Sequence, residues 1–422
     1  MSAFDARRLF VTMFAAAVAA ADPEHVIREH LPDRPKGRTI VIGAGKGSAQ
    51  MARAFERAWD GPLSGLVVTR YGYAVPCERI EVIEAAHPVP DAAGLDGARR
   101  LFETVEGLSE DDLVVALISG GGSALLPAPA GGLTLEDEIA VNRALLASGA
   151  PISAMNTVRK HVSAIKGGRL AAAAWPARVV SLIVSDIPGD RPSLVSSGPT
   201  VPDGSTRQDA LAIVEAYRLD LPEEGMRHLS SPAADAPLTD DPRFDRNEVR
   251  VIASAASSLE AAAEVARRTG LEAVILSDAI EGEAREVAKV HAAIAREVAS
   301  KNQPFRKPVA ILSGGETTVT LRGEGGRGGR NGEFLLSLAL GIEDVEGIHA
   351  FAADTDGIDG SEENAGAFAD SATVARLRAR GLDARALLNA NDSWGAFEAL
   401  GDLFQPGPTG TNVNDLRVVA VR

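Results

Sequence analysis

Two glycine-rich turns in the first half of the chain have the composition of anion-binding loops. Residues 43–48 (GAGKGS) and residues 119–123 (SGGGS) each follow a short apolar run rich in β-branched side chains. Glycines let backbone amides approach a phosphate or carboxylate closely, and a helix that begins after the turn favours an anion at its N-terminus. Lys46 adds a positive charge inside the first turn. We therefore predict nucleotide-phosphate binding by the second turn, through Ser119, Gly120, Gly121, Gly122 and Ser123.

The first turn also nearly matches the dinucleotide-binding fingerprint. Ser48 stands where the third glycine is expected, and the next predicted strand ends in Thr69-Arg70 rather than in an acidic residue. A cation such as Lys46 suits a transferring phosphoryl group or a carboxylate better than a dinucleotide. The alternative is an NAD(P)H-dependent reductase in which Arg70 meets a 2′-phosphate, and the sequence leaves it open.

Further glycine-rich segments lie in the C-terminal half. Residues 313–318 (SGGETT) follow a predicted strand, and residues 325–333 (GGRGGRNGE) carry two arginines and run into a predicted helix. Guanidinium groups bind phosphates and carboxylates through paired hydrogen bonds. We predict that Gly314 and Gly315 contact the nucleotide phosphates and that Glu316, in the same cofactor-binding segment, lies near the metal. Arg330 is predicted to neutralise substrate and phosphoryl charge.

Aspartates at the ends of predicted strands are candidate magnesium ligands. Asp186 and Asp190 belong to the motif SDIPGD, and Asp354 and Asp356 belong to DTDGIDG. Mg²⁺ prefers carboxylate oxygens, and open α/β sheets place their ligands at strand ends. Asp186 is also the candidate for orienting or deprotonating an acceptor hydroxyl.

Basic residues cluster in segment 156–169, which the sequence predicts to be largely helical. In an acidic chain such a cluster could bind a polyanionic ligand, or it could be an ordinary solvated helix face, and both interpretations stay open. On the first interpretation, the substrate-binding candidates are Lys46, Asn156, Arg159, Lys160 and Arg330.

The composition narrows the functional classes. The chain has 422 residues, with 43 Lys+Arg against 58 Asp+Glu and a formal net charge of −15. This balance argues against nucleic-acid and membrane-surface partners, which require basic patches. The single cysteine, Cys77, permits no internal disulfide, which favours a cytoplasmic location. Glycine loops, cations and strand-end carboxylates form the set that phosphoryl transfer needs, although no GxxxxGK[ST] motif is present.

Short apolar runs alternating with helical patterns predict α/β architecture with parallel strands. A proline-rich and acidic stretch at residues 220–247 predicts a boundary, with one α/β domain at 1–236, a second at 237–422 and a cleft between them. A strand beginning at Val249 is expected to open the second domain. The closing strand, near 416–421, could cross back to the first domain.

The apolar run from Leu9 to Ala21 follows two arginines and resembles a signal peptide. The alternative is a first helix, because Leu9, Phe10, Met13 and Phe14 recur at helical spacing. We expect the helix. The run is also shorter than the ~20 residues that cross a bilayer.

Ordered motifs along the whole chain resemble the class II glycerate kinases, the glycerate 2-kinases with a C-terminal MOFRL domain. These motifs are GAGKGSA, HPVPD, LISGGGSALL, MNTVRKHVSAIKGGRLA, VSDIPGD, SSGPTVPD, LSGGETTV, GRGGRNGE, AADTDGIDG and PGPTGTNVNDL. The resemblance implies a Rossmann-like N-terminal domain, a C-terminal α/β domain with its MOFRL region near 305–415, and an active site in the cleft. It also implies phosphorylation of D-glycerate at the 2-hydroxyl by ATP with a divalent cation, expected to be Mg²⁺. Lys46 matches the family's active-site lysine, and Arg330 matches the arginine of its GGRN motif.

One position departs from the family pattern. The GGRN motif is usually followed by Gln, whereas this chain has Gly332. Members of the family often carry a hydroxypyruvate reductase label, tied to tartrate and glycerate catabolism, and this is the alternative activity. A homodimer is a further expectation.

Overall fold

The computed structural model describes residues 5–321, 326–360 and 362–422. The chain folds as two compact units. One, the 23–252 unit, is Pro23–Ile252; the other, the C-terminal unit, combines residues 5–22 with Ala253–Arg422.

The first helix, α1 (Ala6–Ala19), is part of the C-terminal unit. Asp5 accepts a hydrogen bond from the Arg8 N–H and caps its start. The helix buries Leu9, Phe10, Met13, Phe14 and Ala17 against the helix Ala255–Arg268 and the C-terminal sheet, which confirms the predicted helix. No single helix among the described residues is long and apolar enough to cross a membrane; only Ala6–Ala19 and the following helix, taken together as a bent pair, reach that length and composition.

The 23–252 unit is built on one six-stranded sheet. Its strands are β1 (Thr39–Ala44), β2 (Ser64–Arg70), β3 (Ile80–Ala85), β4 (Leu113–Ile118), β5 (Arg178–Val184) and β6 (Glu248–Ala253). They lie in the order β3-β2-β1-β4-β5-β6, and the pairs among β1 to β5 are parallel. This is the strand order of a Rossmann-like sheet, as the sequence led us to expect.

Helices cover this sheet and form a separate small layer. They are α2 (Pro23–Glu29), α3 (Ser48–Ala58), α4 (Ala92–Thr104), α5 (Gly122–Leu125), α6 (Leu135–Ala147), α7 (Ile152–His161), α8 (Arg169–Ala173), α9 (Arg207–Ala216) and α10 (Glu223–Leu229). The alternating strand residues pack into a continuous apolar core with α4 and α8. Helices α6, α7, α9 and α10 share a second core of their own.

The division between units differs from the predicted boundary at residues 236 and 237. Strand β6, expected to open the second domain, is instead the edge strand beside β5. Asn247 accepts a hydrogen bond from the Val179 N–H at 2.9 Å, and Arg178 pairs with Glu248 at 3.1 Å. These contacts hold the proline-rich stretch within the 23–252 unit, so it is an excursion inside that unit.

The C-terminal unit contains a mixed sheet. Its elements are α11 (Ala255–Arg268), β7 (Glu272–Ser277), β8 (Gly282–Glu283), α12 (Ala284–Lys301), β9 (Val309–Ser313), β10 (Thr317–Thr318), α13 (Arg330–Gly341), β11 (Ile348–Asp354), β12 (Gly366–Asp370), α14 (Thr373–Ala379), α15 (Ala384–Asn389), α16 (Ser393–Leu400), β13 (Leu403–Phe404) and β14 (Asp415–Val421). The main sheet has the order β13-β12-β11-β14-β9-β7, with β14 antiparallel to both neighbours. The closing strand therefore completes the C-terminal unit. Apolar clusters lie on both faces of this sheet.

The strand order of the 23–252 unit defines the edge of the sheet at which open α/β sheets bind their ligands. The chain leaves β1 toward β2 on one side and β4 toward β5 on the other, so a crevice opens at the carboxyl ends of β1 and β4. Both predicted glycine turns begin there.

Candidate active site

The two glycine turns of the 23–252 unit form one continuous surface. The Lys46 N–H donates to the Gly120 carbonyl at 2.8 Å, and the Gly47 N–H donates to Ser119 Oγ at 2.9 Å. Gly45 has φ +138°, and a Cβ there would stand 2.2 Å from Ser119 Oγ. Glycine at position 45 is therefore required for the close approach that joins the turns.

Ser196 closes the far side of the second turn. Its Oγ accepts the Gly122 N–H at 3.0 Å and donates to the Ser119 carbonyl at 2.6 Å. The Gly122 amide is thus used within the protein, whereas the amides of Gly120 and Gly121 have no acceptor in the described parts of the chain. These two amides remain available to an anionic ligand. Of the five residues predicted to bind phosphate, Gly120 and Gly121 are therefore the ones whose amides can do so.

Asp186 lies against this turn. It follows β5, and its carboxylate packs directly on the Cα of Gly120. Asp190 follows in a short helical turn with φ +48°. The predicted carboxylate and the predicted phosphate loop are therefore adjacent.

Basic side chains stand over the second turn. A Cβ on Gly121 would lie 3.1 Å from Lys46 Cγ and 3.2 Å from His87 Nε2, so both side chains approach the same glycine. Burial, together with the positive charges of Lys46 and Arg70, lowers the pKa of His87 to about 4. His87 was not among the predicted site residues; its presence in the HPVPD motif was the available signal.

The basic segment 156–169 has a role that neither interpretation of the sequence covered: its cations are partnered inside the protein. Lys160 is fully buried and pairs with Asp203, and Lys166 donates to Glu138 Oε1 at 2.8 Å. Arg169 donates to four backbone carbonyls, the nearest being that of Lys160 at 2.8 Å. The structure thus uses these charges to hold the segment in place.

Asn156 and Arg159 connect this segment to the glycine turn. Asn156 Oδ1 accepts hydrogen bonds from Ser197 Oγ at 3.1 Å and from the Arg159 guanidinium at 3.2 Å. Ser197 Oγ lies 3.0 Å from Ser123 Oγ. Arg159 also donates to Asn142 at 2.7 Å. Asn156 therefore lies one side chain behind the turn and holds Ser123 through Ser197.

In the C-terminal unit, Arg330 is the centre of a carboxylate cluster. Its Nε donates to Asp415 at 2.9 Å, and its two terminal nitrogens donate to Asp354 at 2.6 Å and Glu316 at 3.1 Å. Burial opposes the charge, but the three carboxylates raise the pKa of Arg330 above its usual value. These bonds use three of the five guanidinium N–H groups. Asp415 was missed by the sequence reasoning because it lies 85 residues away along the chain.

The helix that carries Arg330 is fixed by Asp359. The carboxylate accepts the N–H groups of Asn331 at 3.0 Å and Gly332 at 2.8 Å, which caps the start of α13. Burial raises the pKa of Asp359 to about 6. A Cβ on Gly332 would lie 2.6 Å from Ser393 Oγ. Ser393 thus occupies the space next to position 332, which is consistent with glycine rather than the family's usual Gln at that position. Gly325, at the start of the predicted arginine loop, lies outside the described residues.

The other predicted residues of this unit lie around the same cluster. The Gly314 carbonyl accepts from Arg417 at 3.1 Å, and the Gly315 carbonyl accepts from the Asp415 N–H at 3.3 Å. Asp356 donates its N–H to Asp354 Oδ1 at 3.0 Å. Gly314 and Gly315 therefore hold β14 and the Arg330 partners in place through their carbonyls.

The four predicted metal ligands fall into two pairs. Asp186 and Asp190 belong to the 23–252 unit, and Asp354 and Asp356 belong to the C-terminal unit. No group of three or more Asp, Glu, His or Cys side chains within the described ranges is arranged to hold a metal ion. Asp186 still fits Mg²⁺, which is usually bound through one or two carboxylates and otherwise by water and substrate phosphates.

Comparison with known proteins defines the family. Residues 9–230 match the family described as "Domain of unknown function (DUF4147)", and residues 309–415 match the MOFRL family. The chain is 40% identical over 413 residues to the D-glycerate 2-kinase of Thermotoga maritima, covering 97% of each protein. It belongs to the class II glycerate kinase family. The MOFRL match confirms the region predicted near 305–415.

Two other comparisons bear on this glycerate kinase family member. A crystal structure of glycerate kinase from Thermotoga maritima superposes with a TM-score of 0.89 at 38% identity, covering 99% of both chains. A protein of Agrobacterium vitis, provisionally named hydroxypyruvate reductase, is 54% identical over 418 residues, covering 99% of this chain and 94% of the relative. The two-domain α/β fold class is thereby confirmed.

Proposed function

We propose that this chain transfers the γ-phosphoryl group of ATP to the 2-hydroxyl of D-glycerate. The observation that carries the proposal is the turn pair at the carboxyl ends of β1 and β4. There the free amides of Gly120 and Gly121 lie between the side chain of Lys46, which contacts Gly121, and the carboxylate of Asp186, which contacts Gly120. Amides and a cation hold phosphates, and a carboxylate serves the acceptor hydroxyl.

The reaction can be written with these residues in place. The 2-hydroxyl oxygen attacks the γ-phosphorus, the bond from that phosphorus to the ADP oxygen breaks, and the hydroxyl proton passes to Asp186. Lys46 and the two amides stabilise the charge on the transferred group. Arg330, in the C-terminal unit, is a further candidate catalytic residue because it matches the arginine of the family's GGRN motif. Mg²⁺, held by Asp186 with Asp190 or by Asp354 with Asp356, would neutralise phosphate charge when bound.

The test is direct detection of 2-phosphoglycerate. The purified protein is incubated with ATP, Mg²⁺ and D-glycerate in the presence of enolase, without phosphoglycerate mutase, and phosphoenolpyruvate is followed by absorbance. We expect steady product formation that requires all three components. ADP release without phosphoenolpyruvate would place the phosphate on another oxygen. No ADP release, with oxidation of NADPH by hydroxypyruvate, would replace the kinase proposal by the reductase.

A further inference from the structure

Three basic side chains meet beside the second glycine turn. Lys46 lies in the β1–α3 turn, Arg70 is the last residue of β2, and His87 follows β3 by two residues. Arg70 pairs in register with Ala85, and Thr69 Oγ1 donates to the Lys46 carbonyl at 3.2 Å. Three neighbouring strand ends therefore bring these side chains to one edge of the sheet.

None of the three has a carboxylate partner in the described parts of the chain. The Arg70 guanidinium lies over the ring of Tyr73, 4.5 Å from its centroid. By contrast, Lys160 and Lys166 each have an acidic partner. Because the chain carries a net charge of −15, an unpaired basic group of three points to an anion that comes from outside.

The carboxylates closest along the chain are engaged elsewhere. Glu84 accepts the Gly72 N–H at 2.6 Å. Asp91 accepts the Tyr71 hydroxyl at 2.8 Å and caps α4 through the Gly94 N–H at 3.0 Å. Asp186 lies against Gly120, whereas Lys46 and His87 lie against Gly121. Lys46 and His87 thus contact a different part of the turn from Asp186.

We propose that Arg70 and His87, with Lys46, form an oxyanion pocket that binds the carboxylate of D-glycerate. This inference rests on the proposed kinase function and adds the residues that select an acid as the acceptor. The nearby amides of Gly120 and Gly121 would then remain for the phosphates. The positive charges of Lys46 and Arg70 help to keep His87 neutral, and a bound carboxylate would offset them and raise the pKa of His87. Acceptor binding should therefore take up a proton below neutral pH.

Steady-state kinetics with the enolase assay test the pocket. For Arg70→Gln and for His87→Asn we expect KM for D-glycerate to rise about tenfold or more, because a hydrogen bond to a charged group is lost, while KM for ATP changes less than about twofold. Arg70→Lys should recover part of the loss. Arg99→Gln on α4 and His25→Gln on α2, both exposed, are the matched controls and should leave both constants unchanged. A rise confined to KM for ATP would assign the pocket to nucleotide phosphate and overturn the proposal, as would no change in either.

An NMR titration of His87 tests the pocket without requiring enzyme turnover. The chain has seven histidines, so selective ¹⁵N-histidine labelling with His87→Asn as the assignment variant isolates the His87 resonances. We expect D-glycerate to move the His87 titration to higher pH and ADP alone to leave it unmoved. Product formation without such a shift would overturn this inference and leave the kinase standing. Absence of product together with a shift caused by NADPH would overturn both.

Discussion

The carboxylate of Asp186 and the backbone of Gly120 are in direct contact, and a Cβ on Gly120 would stand 1.8 Å from Asp186 Oδ2. Any side chain at position 120 would collide with this carboxylate, so the position requires glycine. The same contact therefore positions the proposed phosphate-binding turn and the proposed proton acceptor.

Gly120→Ala should abolish most activity without unfolding the protein. The methyl group must push the Asp186 carboxylate aside, and a displacement of about 1 Å at a reacting group costs about 100-fold in rate. Turnover in the enolase assay and the circular dichroism spectrum check the two parts. Gly204→Ala is the control, since nothing lies within 4 Å of its Cβ position. Full activity in Gly120→Ala would remove Asp186 from the mechanism.

Lys46→Ala should lower activity without lowering stability. The Lys46 ammonium has no carboxylate partner among the described residues, so its removal leaves no buried acid behind. We expect turnover to fall about 100-fold or more, because a cation that acts on the transition state is lost, with the melting temperature unchanged. Lys36→Ala, an exposed position before β1, should change neither quantity. Turnover near that of the wild type would exclude Lys46 from catalysis.

Arg330→Ala, by contrast, should lower stability as well as activity. Asp354 and Asp415 are 5% and 2% exposed. Asp354 would lose its guanidinium partner, whereas Asp415 would keep only Arg417 of its two. Leaving a buried charge without its partner costs about 3 kcal/mol or more. Urea unfolding and the enolase assay together measure the two losses. An unchanged unfolding free energy would show that the cluster does not depend on Arg330.

The strand-end residues were predictable because their signals are local. A buried strand followed by glycines marks the end of the strand, and a parallel sheet collects such ends at one edge. Lys46, the 119–123 turn and Asp186 could therefore be placed together from sequence. Ser196 could not, because its bond to the Ser119 carbonyl joins residues 77 positions apart.

The basic segment shows where sequence reasoning fails. A cluster of basic residues has the same sequence pattern whether its side chains face solvent, a ligand or buried carboxylates. The pattern alone therefore does not distinguish these three environments. Only the fold brings Asp203 to Lys160 and Glu138 to Lys166. The edge position of β6 was missed for the same reason, since a strand's neighbours depend on pairing that its own residues do not encode.

His87 should make stability depend on pH in the acid range. Its pKa is about 4 in the folded chain and 6.5 when unperturbed, so the unfolded chain binds more protons between these values. Stability therefore falls as pH decreases from 6.5 to 4, and partial exposure of the ring limits the effect to about 2 kcal/mol. Between pH 6.5 and 4 the unfolding free energy of the wild type should fall by about 2 kcal/mol more than that of His87→Gln, which lacks the titrating group. Parallel curves for His87→Gln and the wild type would contradict the lowered pKa of His87.

The buried pair of Lys166 and Glu138 should be a large contributor to the stability of the 23–252 unit. Lys166 donates to Glu138 at 2.8 Å and to the Leu126 carbonyl at 2.9 Å, directly after the glycine turn and α5. Lys166→Met leaves Glu138 buried without a cation and should cost about 3–5 kcal/mol in urea unfolding.

A double variant and an exposed ion pair serve as controls for the predicted loss of stability in Lys166→Met. Adding Glu138→Gln to Lys166→Met removes the buried charge and keeps an acceptor for the Ala128 N–H, now 3.0 Å from the glutamate, so most of the loss should be recovered. Lys301→Met breaks the exposed pair with Glu297 and should cost less than about 0.5 kcal/mol. Equal losses for Lys166→Met and Lys301→Met would mean that burial adds nothing to the Lys166–Glu138 pair.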